Sequence, residues 1–391
     1  MTSGFVLKDG AVVAADRCFP ADVRVHGRQV QEIGSGLTVH RGQVEIDCSG
    51  CFIYPGLINA HDHLEFNLFP RLGEPPYANA YQWGKDLHRR YKAEIEKIQR
   101  IPLRDRLWWG AWKNLFSGVT RVVHHNPYYR HFLFAYPVDI LKRYTFAHSL
   151  EFEPDLRAAL SRRKPATPFL IHLAEGCDDE SVREVSRLDD LGGIDERTVA
   201  VHAVNVRRED IDLLKRRRAS IVWCPSSNSY LYGKTAPIDS LYKQVPVALG
   251  TDSSLTGSVS MFEELQTAQR MSSLSNNQLF RMVTTEARSM FNFPSDAGSI
   301  VERGRADFFV VCSNDMDPYQ RLISCDPGDI RLLMRKGRVV IRDRSMPGPV
   351  NGFANVPVVL NGHEKYVQGK ALPTLLRRLK PYLSHYSYIG E

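Results

Sequence analysis

Histidines and an aspartate that could bind a metal ion follow several apolar runs of this sequence. His61 and His63 stand two residues apart in PGLINAHDH, and His172, His202 and Asp252 each follow a later apolar run. In an extended strand, residues two apart point to the same side, so both imidazoles of the first pair can face one ion. Imidazole and carboxylate donors together suit zinc, with iron or manganese as alternatives. The pattern therefore predicts a divalent metal site.

Glu175 could transfer protons beside such an ion. It follows His172 by three residues in IHLAEG, just beyond a predicted strand end. A catalytic ion lowers the pKa of its water from about 15.7 to about 7, and hydrolysis then needs groups that accept and deliver protons. His202 could stabilise charge near the attacked atom. Each residue alone also suits an ordinary loop or strand end, but their order along the chain favours an active site.

Parallel strands would bring these distant residues together. Between residues 50 and 300, short apolar runs alternate with helix-compatible stretches, which is typical of repeated βα units. The carboxyl ends of such strands share one face, where active sites form. The strands predicted from the apolar runs are 52–59, 119–124, 144–148, 168–173, 198–202, 219–223 and 245–250.

The predicted fold is an α/β fold in which residues 51–299 form a distorted (β/α)8 TIM-like barrel. The interval between residues 125 and 168 must hold both the third and fourth strands, so one βα unit is expected to be shortened. Residues 1–50 and 300–360 alternate short strands with turns, and we expect them to form one small β-sandwich domain from both chain ends. Residues 361–391 are predicted to be a C-terminal tail with a short helix.

Five segments of the sequence resemble the motifs of the amidohydrolase superfamily. They are PGLINAHDH, IHLAEG, VHAVNV, CPSSN and LGTDSS, and GRADFFVV followed by RKGRVV is similar to the closing half of the family's small β-domain. The resemblance is closest to the branch that contains cytosine deaminase, S-adenosylhomocysteine deaminase and the chlorotriazine hydrolases. It covers the barrel region from about residue 50 to 300.

The resemblance also implies roles for individual residues. One metal ion would be bound by His61, His63, His172 and Asp252. Glu175 would transfer protons, His202 would polarise the substrate or hydroxide, and Asp252 would double as the first base. No lysine stands at the end of a fourth strand, where binuclear relatives carry a bridging lysine, and this favours a single ion.

The substrate-facing residues are less well defined by the sequence. Relatives often carry an acidic residue at the end of the second strand, whereas this chain has His124, His125 and Asn126 there. These residues could contact the substrate or support the fold, and both interpretations stay open. The predicted substrate contacts are Glu65, His125, Asn126 and Asn228.

The hypothesis that follows is an enzyme that hydrolyses carbon–nitrogen bonds other than peptide bonds. We expect it to deaminate an aminated heterocycle, such as a purine, pyrimidine or pterin, by means of a metal-activated water. Ring opening of a cyclic amide and dechlorination use similar machinery and are alternatives. A non-catalytic scaffold is an alternative of another class, although relatives of that kind lose metal ligands and this chain retains the whole set.

Composition and charge limit the other partners. The chain has 391 residues, of which 43% are hydrophobic and 24% charged, with a formal net charge of +7. Its basic clusters lack a nucleic-acid-binding motif, and no apolar run approaches the roughly 18 residues of a membrane span. The N-terminus shows no secretory signal. Seven scattered cysteines, including one CSGC pair, suit a reducing cytoplasm. We expect a cytoplasmic enzyme with a small-molecule substrate, and a homodimer is left open.

Overall fold

The computed structural model describes residues 4–346, 355–368 and 372–390. The parts of the predicted β-domain and tail that fall on residues 1–3, 347–354, 369–371 and 391 lie outside the described residues. The strands are β1 (Gly4–Val13), β2 (Cys18–His26), β3 (Gln29–Gly34), β4 (Gln43–Asp47), β5 (Cys51–Pro55), β6 (Leu57–Asp62), β7 (Val119–His124), β8 (Asp139–Ile140), β9 (Thr145–Phe146), β10 (Phe169–Leu173), β11 (Thr198–His202), β12 (Ser220–Trp223), β13 (Val247–Leu249), β14 (Phe308–Cys312), β15 (Leu332–Arg335), β16 (Arg338–Asp343), β17 (Asn355–Leu360) and β18 (His363–Gln368).

Helices connect most of the central strands. They are α1 (Ala80–Arg90), α2 (Lys92–Gln99), α3 (Leu103–Leu115), α4 (Leu156–Ser161), α5 (Asp179–Asp190), α6 (Arg208–Arg217), α7 (Pro225–Tyr232), α8 (Ile238–Leu241), α9 (Met261–Arg270), α10 (Asn276–Met282), α11 (Thr285–Met290), α12 (Pro318–Ile323) and α13 (Leu372–Leu379). Short 3-10 helices occupy Leu64–Phe66, Arg130–Phe132, Pro327–Asp329 and Lys380–Tyr382. In the part of the chain that the structure describes, no helix is long and apolar enough to cross a membrane.

Eight central strands form two parallel sheets. One contains β9 to β13 in sequence order, and the other contains β6, β7 and β8. Ile58 and Val123 from the smaller sheet share one buried core with Leu170, Val199 and Val222 from the larger. Burial on both faces explains why these strands read as continuous apolar runs. The predicted α/β class with parallel sheets is confirmed.

The strand predictions at 119–124 and 198–202 agree with β7 and β11 at both ends. The third and fourth strands, β8 and β9, are only two residues long. Between β7 and β9 the described residues contain one 3-10 turn and no α-helix. This is the shortened region that the sequence predicts.

The prediction of one strand over residues 52–59 is wrong, because the run is divided at Gly56. β5 pairs with β1 and β14, whereas β6 pairs with β7. The Gly56 amide donates to the Asp307 carbonyl at 2.9 Å. A Cβ at position 56 would lie 2.3 Å from the Thr120 hydroxyl, so only glycine permits this close crossing between the sheets.

Both chain ends contribute to a third, ten-stranded sheet. Its order is β17-β18-β16-β15-β14-β5-β1-β2-β3, and β4 pairs with β1. β15 and β16 are joined by Lys336 and Gly337, whose positive φ angles of 52° and 70° form the tight hairpin turn that such connections favour. β18 lies past residue 360, so the sheet extends into the region predicted to be a tail. The predicted helix in that region is observed as α13.

Candidate metal centre and active site

Three imidazoles and one carboxylate meet at the carboxyl ends of the parallel strands. Nε2 of His172 lies 3.4 Å from Nε2 of His61 and 3.4 Å from Nε2 of His63. Oδ1 of Asp252 lies 3.8 Å from Nε2 of His61 and 3.9 Å from Nε2 of His63. Two nitrogens bound tetrahedrally to zinc at 2.0–2.1 Å would be separated by about 3.4 Å. The two nitrogen–nitrogen distances therefore suit a bound divalent ion, and the Asp252 carboxylate lies beside the same histidines.

Hydrogen bonds fix the direction of two of these donors. Nδ1 of His172 lies 2.7 Å from the His148 carbonyl, to which it can only donate, so its Nε2 presents a lone pair to the centre. Oδ2 of Asp252 accepts from the Ser227 and Thr256 hydroxyls at 2.9 and 2.8 Å, which leaves Oδ1 facing the histidines. Such partners hold ligands in place before the ion binds.

The electrostatics of the centre suit a cation. The pKa values of His61 and His172 are held well below their usual range, mainly by burial and to a smaller extent by the neighbouring histidines. Both imidazoles are therefore neutral, which is the form that binds metals. Burial raises the pKa of Asp252, but His63, His202 and the two hydroxyl donors outweigh it, and the net pKa lies below its usual value. This carboxylate stays charged.

Left-handed backbone conformations aim two of the site residues. His202 has φ 75° and Asp252 has φ 52°. Non-glycine residues in this region cost of order 1–3 kcal/mol and cluster at functional sites. In each case the turn occurs where the strand ends, so it points the side chain across the strand ends instead of along the sheet.

Glu175 lies next to His202, on the side of the imidazole that carries Nε2. Its Oε1 is 3.6 Å from His202 Nε2 and accepts a hydrogen bond of 2.8 Å from the Tyr232 hydroxyl. Nδ1 of His202 is 2.8 Å from Oδ1 of Asn228, to which it donates, so Nε2 faces the centre. Burial raises the pKa of Glu175, although His202 and the Tyr232 hydrogen bond oppose that shift. This carboxyl can therefore bind a proton more readily than an exposed one.

Glu65 and Asn126, both predicted as substrate contacts, lie together beside His63. Oε1 of Glu65 accepts from Nδ2 of Asn126 at 2.8 Å and from the Tyr129 hydroxyl at 3.0 Å. Oε2 of Glu65 is buried and has no hydrogen-bond partner among the described residues, and His124 Nε2 is 3.8 Å away. One carboxylate oxygen is thus available to a ligand beside the metal position.

His125 and Asn228, both predicted as substrate contacts, also form hydrogen bonds within the protein. Nε2 of His125 is 3.0 Å from the Ala147 carbonyl, while its buried Nδ1 has no partner among the described residues. Its ligand atom lies within 4.8 Å of those of His61, His63 and His172. Asn228 is fully buried, and its amide contacts His202 and Thr235. These contacts place His125 beside the metal ligands and Asn228 behind His202.

The sequence analysis missed several supporting residues. Ser227, Thr256, Tyr129 and Tyr232 hold the carboxylates of the site, and Lys113 is buried 3.3 Å from Asp62 and 3.0 Å from the Thr251 hydroxyl. The sequence contains only a weak signal for these supporting residues, because residues of the same types are common in loops and helices. Only Ser227, inside CPSSN, and Thr256, four residues after Asp252, stand near a motif that the sequence identified.

Gly250→Ala is expected to weaken metal binding. A Cβ at position 250 would lie 2.6 Å from His61 Cβ and 2.9 Å from its backbone nitrogen, so this ligand must move. We expect a loss of metal affinity of roughly 10–100-fold, comparable to the loss of a supporting partner. The measurement is metal content after dialysis against a graded chelator. Gly34→Ala is the control, because its new Cβ meets only Leu37 Cδ2 at 3.6 Å. Equal metal retention by both variants would contradict the placement of His61.

Comparison with known proteins gives family relatives over much of the chain. The model of the amidohydrolase family matches residues 165–340. A 5-methylthioadenosine/S-adenosylhomocysteine deaminase of Thermoanaerobacter pseudethanolicus is 29% identical over 182 residues, and this match spans only 41% of this chain and 42% of that relative. The protein of the same name from Thermococcus sibiricus is 26% identical, over 86% of this chain and 93% of that relative.

Two solved structures share the fold. An adenosine deaminase from Xanthomonas campestris with bound zinc has a TM-score of 0.75 at 16% identity, over 97% of each chain. The atrazine chlorohydrolase from Arthrobacter aurescens TC1 complexed with zinc also has a TM-score of 0.75 at 16% identity, over 97% of this chain and 100% of that one. The family match and these relatives confirm the similarity to amidohydrolases that the motifs predict.

Proposed function

We propose that this chain deaminates an aminated heterocycle by hydrolysis at a single divalent ion, with zinc as the first candidate and iron or manganese as alternatives. The observation that carries the proposal is the convergence of His61, His63, His172 and Asp252 on one point. Glu175 and His202 stand beside that point, where a substrate would be attacked. A metal-activated water and a proton-transferring carboxyl are the two requirements of this chemistry.

The metal ligands would be the four residues whose donor atoms converge. His61 and His172 are buried and neutral, and Asp252 supplies the charge that a divalent cation requires. When bound there, the ion supplies activation of a water molecule for nucleophilic attack. We propose that His125 also faces the ion, because its unpaired Nδ1 lies among the ligand atoms. That role supplements the predicted substrate contact, which stays a prediction.

The remaining residues would move protons and hold charge. Asp252 accepts the proton of the attacking water, since its carboxylate is charged and hydrogen-bonded in position. Glu175 delivers a proton towards the leaving amine, which its raised pKa favours. His202 stabilises the charge that develops on the attacked group through Nε2. We propose that Asn228 acts through His202, whose tautomer and orientation it fixes.

The relatives suggest the class of heterocycle. Several are named as deaminases of adenosine derivatives, including a 5'-deoxyadenosine deaminase of Methanothrix thermoacetophila that is 24% identical over 86% of this chain. We therefore propose an adenine nucleoside derivative as the first candidate substrate. Glu65 Oε2 is the described acceptor best placed for a hydroxyl or amino group of such a ligand. Hydrolysis of a chlorotriazine is the second candidate, supported by the shared fold.

The finer architecture belongs to the same proposal. The two parallel sheets would form one distorted (β/α)8 barrel of residues 51–299, since the Asp252 amide donates to the His61 carbonyl at 3.1 Å and joins β13 to β6. The strands of both chain ends, from 1–50 and 300–360, would form a small β-sandwich domain, followed by a tail at 361–391. A cytoplasmic location and a homodimer stay predictions.

Release of ammonia from aminated heterocycles tests the proposed reaction. The zinc-loaded protein is assayed with adenosine, 5'-deoxyadenosine, 5'-methylthioadenosine, S-adenosylhomocysteine, guanine and cytosine. Chloride release from a chlorotriazine and acid formation from dihydrouracil are measured in parallel. We expect ammonia from at least one adenine nucleoside. Chloride or acid without ammonia would replace deamination with the corresponding alternative, and inactivity with stoichiometric zinc on all three would count against the proposal.

Glu175→Gln is expected to lower kcat by roughly 10²–10⁴-fold on the substrate found, because the amide cannot deliver the proton. Metal content should be unchanged, since Glu175 is not one of the proposed metal ligands. The control is Glu209→Gln, an exposed carboxyl on α6. A variant at position 175 with full activity would remove the proposed role of Glu175.

Tyr232→Phe is expected to shift the alkaline limb of the kcat/KM profile to higher pH. The Tyr232 hydroxyl donates to the Glu175 carboxylate and lowers its pKa. Without that donor the pKa of Glu175 rises further, so the protonated form that delivers the proton persists to higher pH. If the alkaline limb moves to lower pH in Tyr232→Phe, it reports the titration of a group other than Glu175. The same conclusion follows if the limb is unchanged in Glu175→Gln.

A further inference from the structure

A cavity of about 1060 Å³ lies at the opposite end of the parallel strands from the metal ligands. It is lined by Arg121 of β7, by Asp139 of β8 and by Pro168, which precedes β10. Arg121 stands three residues before His124, which separates it from the metal-facing end of the strand by about 10 Å. The cavity is therefore separate from the proposed active site.

The cavity exists because this wall of the fold has no covering helix. The described residues between β7 and β9 contain only a 3-10 turn, Arg130–Phe132, where other strands are followed by α-helices. Leu133, which lines the cavity, and its neighbour Phe134 remain 54% and 82% exposed. Trp108 and Trp112 of α3 form the wall on one side, and Phe291 and Phe293 line another part. Part of the wall is thus apolar and aromatic.

Unpaired hydrogen-bond donors are buried in the wall of this space. The Arg121 side chain is 2% exposed, and its Nη1 and Nη2 have no hydrogen-bond partner among the described residues, although Nη2 lies 3.3 Å from Asp307 Oδ2. The indole Nε1 of Trp112 and the Nε atoms of Arg305 and Arg335 are also buried without a partner. A buried donor without an acceptor is destabilising. All these unpaired groups of the wall are donors, so the wall is better suited to a ligand that is rich in acceptors than to one that is rich in donors.

The charges around the cavity also favour a ligand that is rich in acceptors. The inner cations are Arg121, Arg305, Arg335 and Lys336, and they face three carboxylates, Asp139, Asp296 and Asp307. Four more cations stand at the rim, namely Arg28, Lys142, Arg143 and Arg338. Among the described residues, none of these four side chains forms an ion pair. Of the three carboxylates, only Asp139 belongs to the described residues that line the cavity. The cations named here outnumber the carboxylates by more than one, so a ligand with a single negative charge would not balance them.

We propose that this cavity binds a small phosphomonoester with a flat apolar body. A phosphomonoester carries about −1.5 to −2 charges at neutral pH and three acceptor oxygens, which matches the cationic, donor-rich side. The indoles and phenyl rings receive the apolar body, and the volume suits a ligand of drug-like size. The site does not depend on the metal centre or on its reaction.

The binding of 1-naphthyl phosphate, measured by calorimetry at low salt, tests the site. We expect one molecule per chain, bound at least tenfold more tightly than inorganic phosphate or 1-naphthol, a difference of about 1.4 kcal/mol. Affinity should fall as salt rises, because the contact is ionic. Binding of the naphthol as tight as that of its phosphate would overturn the proposal, as would the absence of saturable binding.

Two charge-matched double variants locate the binding. Lys142→Gln with Arg143→Gln removes exposed rim cations and is expected to weaken the probe by roughly three- to tenfold. Lys215→Gln with Arg216→Gln makes the same charge change on α6, away from the cavity, and should leave the affinity within about twofold. Equal effects of the two variants would show a general charge effect and overturn the site.

Two further variants separate the cavity from its alternatives. Arg121→Met should reduce binding further, and the rim variant decides the outcome if this buried change prevents folding. Glu175→Gln should bind the probe normally, and a changed affinity there would place the probe in the proposed active site. Sedimentation of the protein with Leu133→Ser and Phe134→Ser tests whether a second copy covers the opening. A dimer that this variant dissociates, together with new probe binding on dissociation, would overturn the ligand proposal.

Discussion

The backbone hydrogen bond from Asp252 to His61 joins the last strand of one parallel sheet to the first strand of the other. It brings residues from both ends of the central region within 4 Å of each other at their side chains. Gly250 permits this approach, because any Cβ there would overlap His61. The metal centre depends on this junction, since three of its four donors lie on or beside the two strands that it connects.

The neighbourhood of the junction is buried and polar, and its groups are paired. Lys113, Asp62 and Thr251 contact one another beneath the metal ligands. A satisfied polar network of this kind is rigid, because each group loses a partner if another moves. The rigidity holds the ligand atoms at spacings that suit an ion before one binds. Among the described residues, the buried polar atoms without a partner include those of Glu65, His125 and Arg121, and these three residues lie at sites where we propose that ligands bind.

The two ends of the parallel strands have opposite characters. The carboxyl ends present neutral imidazoles, carboxylates and hydroxyl donors around a cation position. The amino ends of β7 and its neighbours present guanidinium and indole donors with excess positive charge. The shortened third and fourth units leave the second region open, and they give the chain a cavity whose charge suits an anion. One strand, β7, contributes to both, through His124 at one end and Arg121 near the other.

The sequence by itself determined the order of the central strands and the residues that end them. Apolar runs flanked by polar residues are local signals, and they located β7 and β11 to the residue. The HxH pair, His172, Glu175, His202 and Asp252 could be read because their motifs are contiguous. Only the tertiary structure decided that Gly56 separates two strands, that Asn228 holds His202, and that Tyr232 contacts Glu175. Those features depend on contacts between residues 26 to 251 positions apart, and no local pattern encodes such distances.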